Sequence, residues 1–282
     1  MINKTSTTLI SVEGLDCSFK ETNVAALKNK LEEEGYSVLT FDFPQYSRDS
    51  SYFIRQFLHN PLYRDPEPLT VDDCCKYCMY YSLDRYDTYL TEIKQHMGKV
   101  DVIIFDRFIN SNLHNVSRMM PDMDKALDVL DWLYKFEYGT LNLPSEDICI
   151  FLNMPYDKSR VIRQAKSDKD LNEIDEEFSK KSYTTFDMLF NHEKAGDKKI
   201  IKRLEKITGI TPSKMNHSGI GPMFTINVDI GIEDIDFVKT LTDEEEREKS
   251  KKLIFDKIYY ETSIFIESAI GKRRELYGKE EG

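Results

Sequence analysis

The sequence contains no apolar run approaching the roughly 20 residues that cross a bilayer. The stretch in its N-terminal MINKTSTTLISVEG is too short for a secretion signal. The expectation is a cytoplasmic chain that meets no membrane. An excess of positive charge is missing too: 39 Lys and Arg face 50 Asp and Glu, a formal net charge of -11. A general nucleic-acid binder carries a basic patch, so no nucleic-acid partner is expected. A mononucleotide needs only a few local cations and stays open. The five cysteines (Cys17, Cys74, Cys75, Cys78, Cys149) form an odd set without repeated spacing. Cys75-x-x-Cys78 lacks the second pair or the His-x-x-x-His that would complete a metal or redox site. These thiols therefore read as buried helix residues in a reducing compartment. No internal repeat is present. What remains is a globular composition, 282 residues with 40% hydrophobic and 32% charged.

Short apolar runs alternate with longer helical patterns. Thr8–Val12, Ser37–Phe43, Val100–Phe105, Ile148–Leu152 and Met223–Val228 read as strands. Helical patterns run from about Glu21 to Glu34, Val71 to Met97 and Asp122 to Gly139. This alternation predicts a three-layer α/β fold, a parallel five-stranded sheet flanked by helices. Ligands in such sheets sit at the carboxyl ends of the strands. The pattern weakens over about 193–222, which reads as an insertion within a domain spanning 1–240. Residues 241–282 read as a C-terminal helical extension. Its acidic start (Glu244, Glu245, Glu246) and basic end (Lys272, Arg273, Arg274) suit the helix dipole. An amphipathic helix reaching about Tyr277, solvated and packed on the domain's edge, is expected there.

After the first strand comes Gly14-Leu15-Asp16-Cys17-Ser18-Phe19-Lys20-Glu21-Thr22. A P-loop is a glycine, four residues, then Gly-Lys-Ser/Thr. Its backbone N–H groups and the following helix N-terminus wrap phosphates, and the lysine neutralises charge. Gly14 and Lys20 are correctly spaced. Phe19 replaces the second glycine, which is tolerable where its φ is negative. Glu21 replaces the hydroxyl residue that ligates magnesium, leaving Glu21 itself or Thr22 as the oxygen donor. Alone, the segment fits an ordinary strand-turn-helix as well.

Asp106-Arg107-Phe108 ends the third strand. An acid there is placed to hold or orient magnesium, and the arginine offers a planar fork to phosphate oxygens. The bland alternative is a surface ion pair worth ~0–1 kcal/mol. In order, GLDxSxK, Phe43-Pro44 and DRF after successive strands resemble thymidylate kinase. Tyr81-Ser82-Leu83-Asp84-Arg85 is similar to that family's nucleoside-binding helix, and Ser111-Asn112 to its SN/SG pair. Trp132–Leu152 resembles the stretch in which a "GLP-x-PD" turn enters the fourth strand. The resemblance spans roughly residues 6 to 190.

It implies a P-loop NTPase fold and magnesium-assisted, in-line transfer from ATP to dTMP, giving dTDP without a covalent enzyme intermediate. By resemblance, Gly14, Leu15, Cys17, Ser18, Phe19, Lys20, Glu21 and Thr22 cradle the donor phosphates. Asp16 serves the sugar hydroxyl or a phosphate-site water. Asp106 positions Mg2+, with Glu21 and Thr22 as further metal candidates, and Arg107 grips the acceptor phosphate. Phe43 and Tyr81 contact the nucleoside, Arg85 its base edge, and Ser111 and Asn112 lie nearby. Core packing is the alternative for Tyr81, in a helix already holding Tyr77, Tyr80 and Tyr86. Arg48 is the nearest acceptor-side arginine, with Arg55 second. Some family members carry a loop arginine where Cys17 stands; others use a mobile lid. Residues 156–175 resemble that lid, with Arg163 as the catalytic cation, Lys166 as its helper, and Asp170 and Glu173 beyond. A homodimer is implied. Two alternatives stay open: a kinase of this fold for another pyrimidine nucleotide or nucleoside, and a nucleotide-binding protein without catalysis.

Overall fold

Isoleucine, valine and phenylalanine fill the apolar runs, and each run forms a strand: β1 Thr8–Gly14, β2 Val38–Asp42, β3 Val102–Asp106, β4 Ile148–Asn153 and β5 Phe224–Asp229. They pair in the order β2-β3-β1-β4-β5, every pair parallel, with Thr8 opposite Val102 and Ile10 opposite Ile148. The computed structural model describes residues 4–165, 167, 169–191, 196–208, 224–229 and 236–278. Its helices are α1 Lys20–Glu33, α2 Tyr52–His59, α3 Val71–Thr88, α4 Leu113–Val116, α5 Met123–Tyr134, α6 Tyr156–Ala165, α7 Leu171–Ile174, α8 Glu176–Phe190, α9 Lys198–Thr208, α10 Phe237–Thr242 and α11 Glu244–Tyr277. No described helix is long and apolar enough to cross a membrane.

The strand period of two sends alternate residues to opposite faces. Leu9, Ile103, Phe105 and Phe151 meet Leu127 and Leu130 of α5 and Phe186 of α8 on one face. Ile10, Val12, Ile104, Ile150 and Leu152 face Val24, Leu27 and Leu31 of α1 on the other. Strands covered on both sides need the near-continuous apolar sequence seen in β3 and β4. The chain leaves β1 for β2 on one side and later fills β4 on the other. The carboxyl end of β1 is therefore the switch point where a ligand crevice opens.

The C-terminal helix buries one face in the core. Ser250, Ile254, Ile258, Thr262, Ile266 and Ile270 of α11 are buried, and these four isoleucines, unlike the exposed Ile264, complete the α1 face of the core. One buried residue in four, among charges, looks like a solvated helix in sequence. Arg273 secures it by pairing with Asp147, and Arg274 by pairing with Asp101. Part of the expected insertion is also ordered helix. Leu204 of α9 is fully buried in the core, and Arg203 pairs with Asp124 and Asp128 of α5. Residues 192–195 and 209–223 lie outside the described residues. Two expected long helices change pitch near their ends. α3 continues through a wide turn at Tyr89–Ile93 and α5 through another at Lys135–Thr140. Cys74, Cys75 and Cys78 are buried free thiols of α3, and burial pushes Cys75 up to about 11.

Candidate active site

Gly14 closes β1 where space is tight. A Cβ there would sit 2.6 Å from Ser18 Oγ and 2.9 Å from Leu152 O, so a larger residue would displace the loop. Cys17 (φ 62°) and Phe19 (φ 61°) both take the left-handed conformation. The condition for an unstrained Phe19, a negative φ, is therefore not met. Such a backbone costs an L-residue roughly 1–2 kcal/mol. The Phe19 ring packs against the α1 face of the core, which offsets that cost. Lys20 then heads α1, its Nζ donating to Leu15 O at 2.5 Å and Ser18 Oγ at 3.3 Å. Burial first, and Arg107 second, push its pKa down to about 7.

Arg107 follows β3 with φ 67°, a strained turn of the kind stored at functional sites. Its guanidinium crosses to the loop, Nη1 reaching Gly14 O at 3.1 Å and Nη2 reaching Asp16 Oδ1 at 2.5 Å. Burial raises the Asp106 carboxyl, opposed by Lys20 and Arg107, while Asp42 and Glu21 add to the rise. Among the described residues no group of three or more His, Cys, Asp or Glu gathers as a metal cage. Magnesium is commonly held by one or two carboxylates plus substrate phosphates and water. Asp106, with Asp42 near it, fits that donor set; Glu21 is exposed in the first turn of α1, and Thr22 is half-buried.

The sequence reading missed Glu13. Buried in β1 beside Gly14, it accepts from Phe108 N at 2.8 Å and Ser111 Oγ at 2.5 Å, and burial raises its pKa. Ser111 thus fastens the Asp-Arg-Phe turn to β1. A lone charge in an otherwise uncharged strand was the visible signal.

On the acceptor side Phe43 is buried, its ring 5.9 Å from Phe108 and 6.2 Å from Phe105. Arg48 is held by acids of the neighbouring helix. Its Nη2 pairs with Asp87 at 2.7 Å and reaches Thr91 Oγ1, while Nη1 pairs with Glu92. Those acceptors on and just beyond α3 claim the charge first. Arg55 donates to the carbonyls of Tyr46 and Arg48 and pins the loop. Tyr46 of this loop is exposed, and the charges around its hydroxyl include Arg107, Asp16, Asp170 and Glu173. Tyr81 is half-buried. Arg85 is 2% exposed, and its Nε and Nη2 both donate to the fully buried Glu137. Ser82 Oγ (2.8 Å) and Asn112 Nδ2 (3.3 Å) share that carboxylate. Arg85 and Asn112 are interior members of a network rather than free donors. Glu137, which was passed over, organises it. His114 was passed over too: its Nε2 is buried without a hydrogen-bond partner, and burial lowers its pKa to about 4.

In the segment expected to be a lid, Arg163 of α6 is 4% exposed, with Nη2 lacking a hydrogen-bond partner and the guanidinium 5.7 Å from the Tyr156 ring. Arg160 pairs instead with Glu176. Lys166 lies outside the described residues. Asp170 caps α7 by accepting from Asn172 N at 2.7 Å and Glu173 N at 2.9 Å.

A switch-point glycine loop, a lysine-headed helix, and an aspartate-arginine turn on the adjacent strand define a P-loop nucleotide kinase. The thymidylate kinase family profile matches residues 12–208, and the chain belongs to that family. It is accordingly a nucleoside monophosphate kinase, a transferase. Among solved structures it is similar to a thymidylate kinase from Candida albicans, at 17% identity and a TM-score of 0.50, over 88% of this chain and 93% of that one. At that identity the likeness concerns the fold. No curated protein matches the chain.

Proposed function

We propose that this kinase transfers the γ-phosphoryl group of ATP to dTMP, giving dTDP and ADP. The observation that carries the reading is the meeting of Lys20 with the Asp16–Arg107 pair at the carboxyl end of β1. The N–H groups of the loop and the N-terminus of α1 would take the donor phosphates. Lys20 would swing from the Leu15 carbonyl to phosphate oxygens. Arg107 would turn its fork from Asp16 to the acceptor phosphate, freeing Asp16 for the sugar hydroxyl. Tyr81 would stack on the pyrimidine. Arg163, a buried cation with an unpartnered N–H group, would meet the charge that spreads over the migrating group. Magnesium, held by Asp106 with phosphate oxygens and water, would neutralise charge between donor and acceptor. Transfer is in-line and needs no covalent enzyme intermediate.

Loss of Arg48 to Asp87 and Glu92, and of Arg85 to Glu137, favours a second acceptor reading. Another pyrimidine nucleotide or nucleoside would replace dTMP. Catalysis-free binding is disfavoured by the joint retention of Lys20, Asp106, Arg107 and Arg163. The family resemblance supports a cytoplasmic homodimer, and sedimentation tests the dimer. A panel of dTMP, dUMP, 5-hydroxymethyl-dUMP and thymidine with ATP and Mg2+, compared by kcat/KM, separates the readings. The highest value is expected with dTMP; absence of ADP and dTDP would overturn the proposal.

A further inference from the structure

Arg64, just after the turn that follows α2, and Arg118, two residues beyond α4, converge on one lid atom. Arg64 Nη2 lies 2.9 Å and Arg118 Nη2 2.7 Å from Asn172 Oδ1 of α7. Among the described residues their other hydrogen bonds go to neutral acceptors: Arg64 Nε to Phe57 O at 3.1 Å, and Arg118 Nε to Asn115 Oδ1 at 3.4 Å. Aromatic faces flank both cations. Arg64 lies 4.9 Å from the Phe57 ring; Arg118 lies 4.1 Å from Phe178 and 5.3 Å from Phe57. Two like charges are thus gathered on a single uncharged amide oxygen. That oxygen belongs to the short helix joining α6, which carries Arg163, to α8.

We infer that Asn172 is a positioning residue, a latch that docks the lid onto the acceptor half of the cleft. The inference rests on the kinase reading above. Two charged donors on one acceptor give hydrogen bonds stronger than neutral ones. The acceptor's neutrality limits their strength. A carboxylate there would make two poorly screened ion pairs and hold the lid shut. An aliphatic side chain would leave the two guanidinium groups without the acceptor that their Nη2 atoms share. A kinase lid closes to complete the site and reopens to release product. An amide lies between those extremes, and whatever docks α7 also places Arg163.

The test compares wild type, Asn172→Asp and Asn172→Ala in steady-state kinetics and in tryptic cleavage after Lys169, three residues upstream. Asn172→Asp is expected to lower both substrate KM values and to lower kcat about fivefold, because lid opening becomes limiting. It is also expected to slow cleavage after Lys169. Asn172→Ala is expected to raise KM about tenfold and to speed cleavage. The latch is overturned if the two variants shift KM and cleavage in the same direction, or if both stay within about twofold of wild type. Proteolysis reads docking without substrate. A wild-type chain that turns over no dTMP, yet shows opposite cleavage shifts, would count against the kinase reading and leave the latch standing.

Discussion

Arg107 Nη2 lies 2.5 Å from Asp16 Oδ1, so the turn after β3 and the loop after β1 are joined by one ion pair across the mouth of the cleft. The arginine is held ready by a partner it can exchange for phosphate. Arg107→Ala is expected to lower kcat/KM by about 10²–10³, the usual cost of removing one charge-stabilising donor. Arg107→Lys is expected to recover little of that, since an ammonium has no fork. Steady-state rates check both; an Arg107→Ala enzyme with wild-type kcat/KM would refute the assignment.

Lys20 has a pKa of about 7 against an ordinary 10.5, burial being the main cause. Between those values the native chain binds fewer protons than the unfolded one. The resulting destabilisation is absent above 10.5, grows as pH falls, and is complete below about 7. A bound phosphate restores the charge. ATP binding at pH 8 should therefore take up close to one proton, a signal that Lys20→Ala should lose. Calorimetry in buffers of different ionisation enthalpy measures it.

Glu146 titrates in the opposite sense. It is 1% exposed, Tyr138 Oη donates to its Oε2 at 2.7 Å, and its Oε1 has no partner. Burial raises its pKa from 4.5 to about 7. The native state then holds a proton that the unfolded chain releases. Its contribution is full below about pH 4.5 and is lost as pH rises through 7, a change of about 3 kcal/mol. Denaturant melts across that range should show the decline, and Glu146→Gln should flatten it.

Phe19→Gly removes a left-handed phenylalanine and also a ring packed against the core. The backbone gain of roughly 1–2 kcal/mol opposes the loss of burial, so thermal stability is expected to change little. ATP affinity should rise, because glycine lets the backbone approach phosphate closely. Melting and ATP titration test the two effects separately.

Arg48→Ala is expected to leave acceptor KM within about twofold and to cost about 1 kcal/mol of stability, because its ion pairs with Asp87 and Glu92 are partly exposed. A hundredfold rise in KM would restore Arg48 to the acceptor site.

The apolar runs marked the strands because a sheet buried on both faces demands them. Order and spacing likewise exposed Gly14, Lys20, Asp106 and Arg107. What stayed hidden depends on partners distant in sequence. Nothing near Arg85 announces Glu137, 52 residues on, and nothing near Arg48 announces Glu92, 44 residues on. The α11 stripe was hidden by its thinness: Ile254, Ile258, Ile266 and Ile270 stand four or eight apart among charges. Glu13 and Glu146 owe their chemistry to burial, which neighbouring residues in the sequence do not reveal.

The most direct measurement follows ATP, ADP, dTMP and dTDP together with Mg2+ present, for wild type and Lys20→Ala. The account predicts dTDP and ADP in equal amounts from wild type, and a rate about 10³-fold lower or less from Lys20→Ala. Wild-type protein that forms neither product, or a Lys20→Ala variant as fast as wild type, would contradict it.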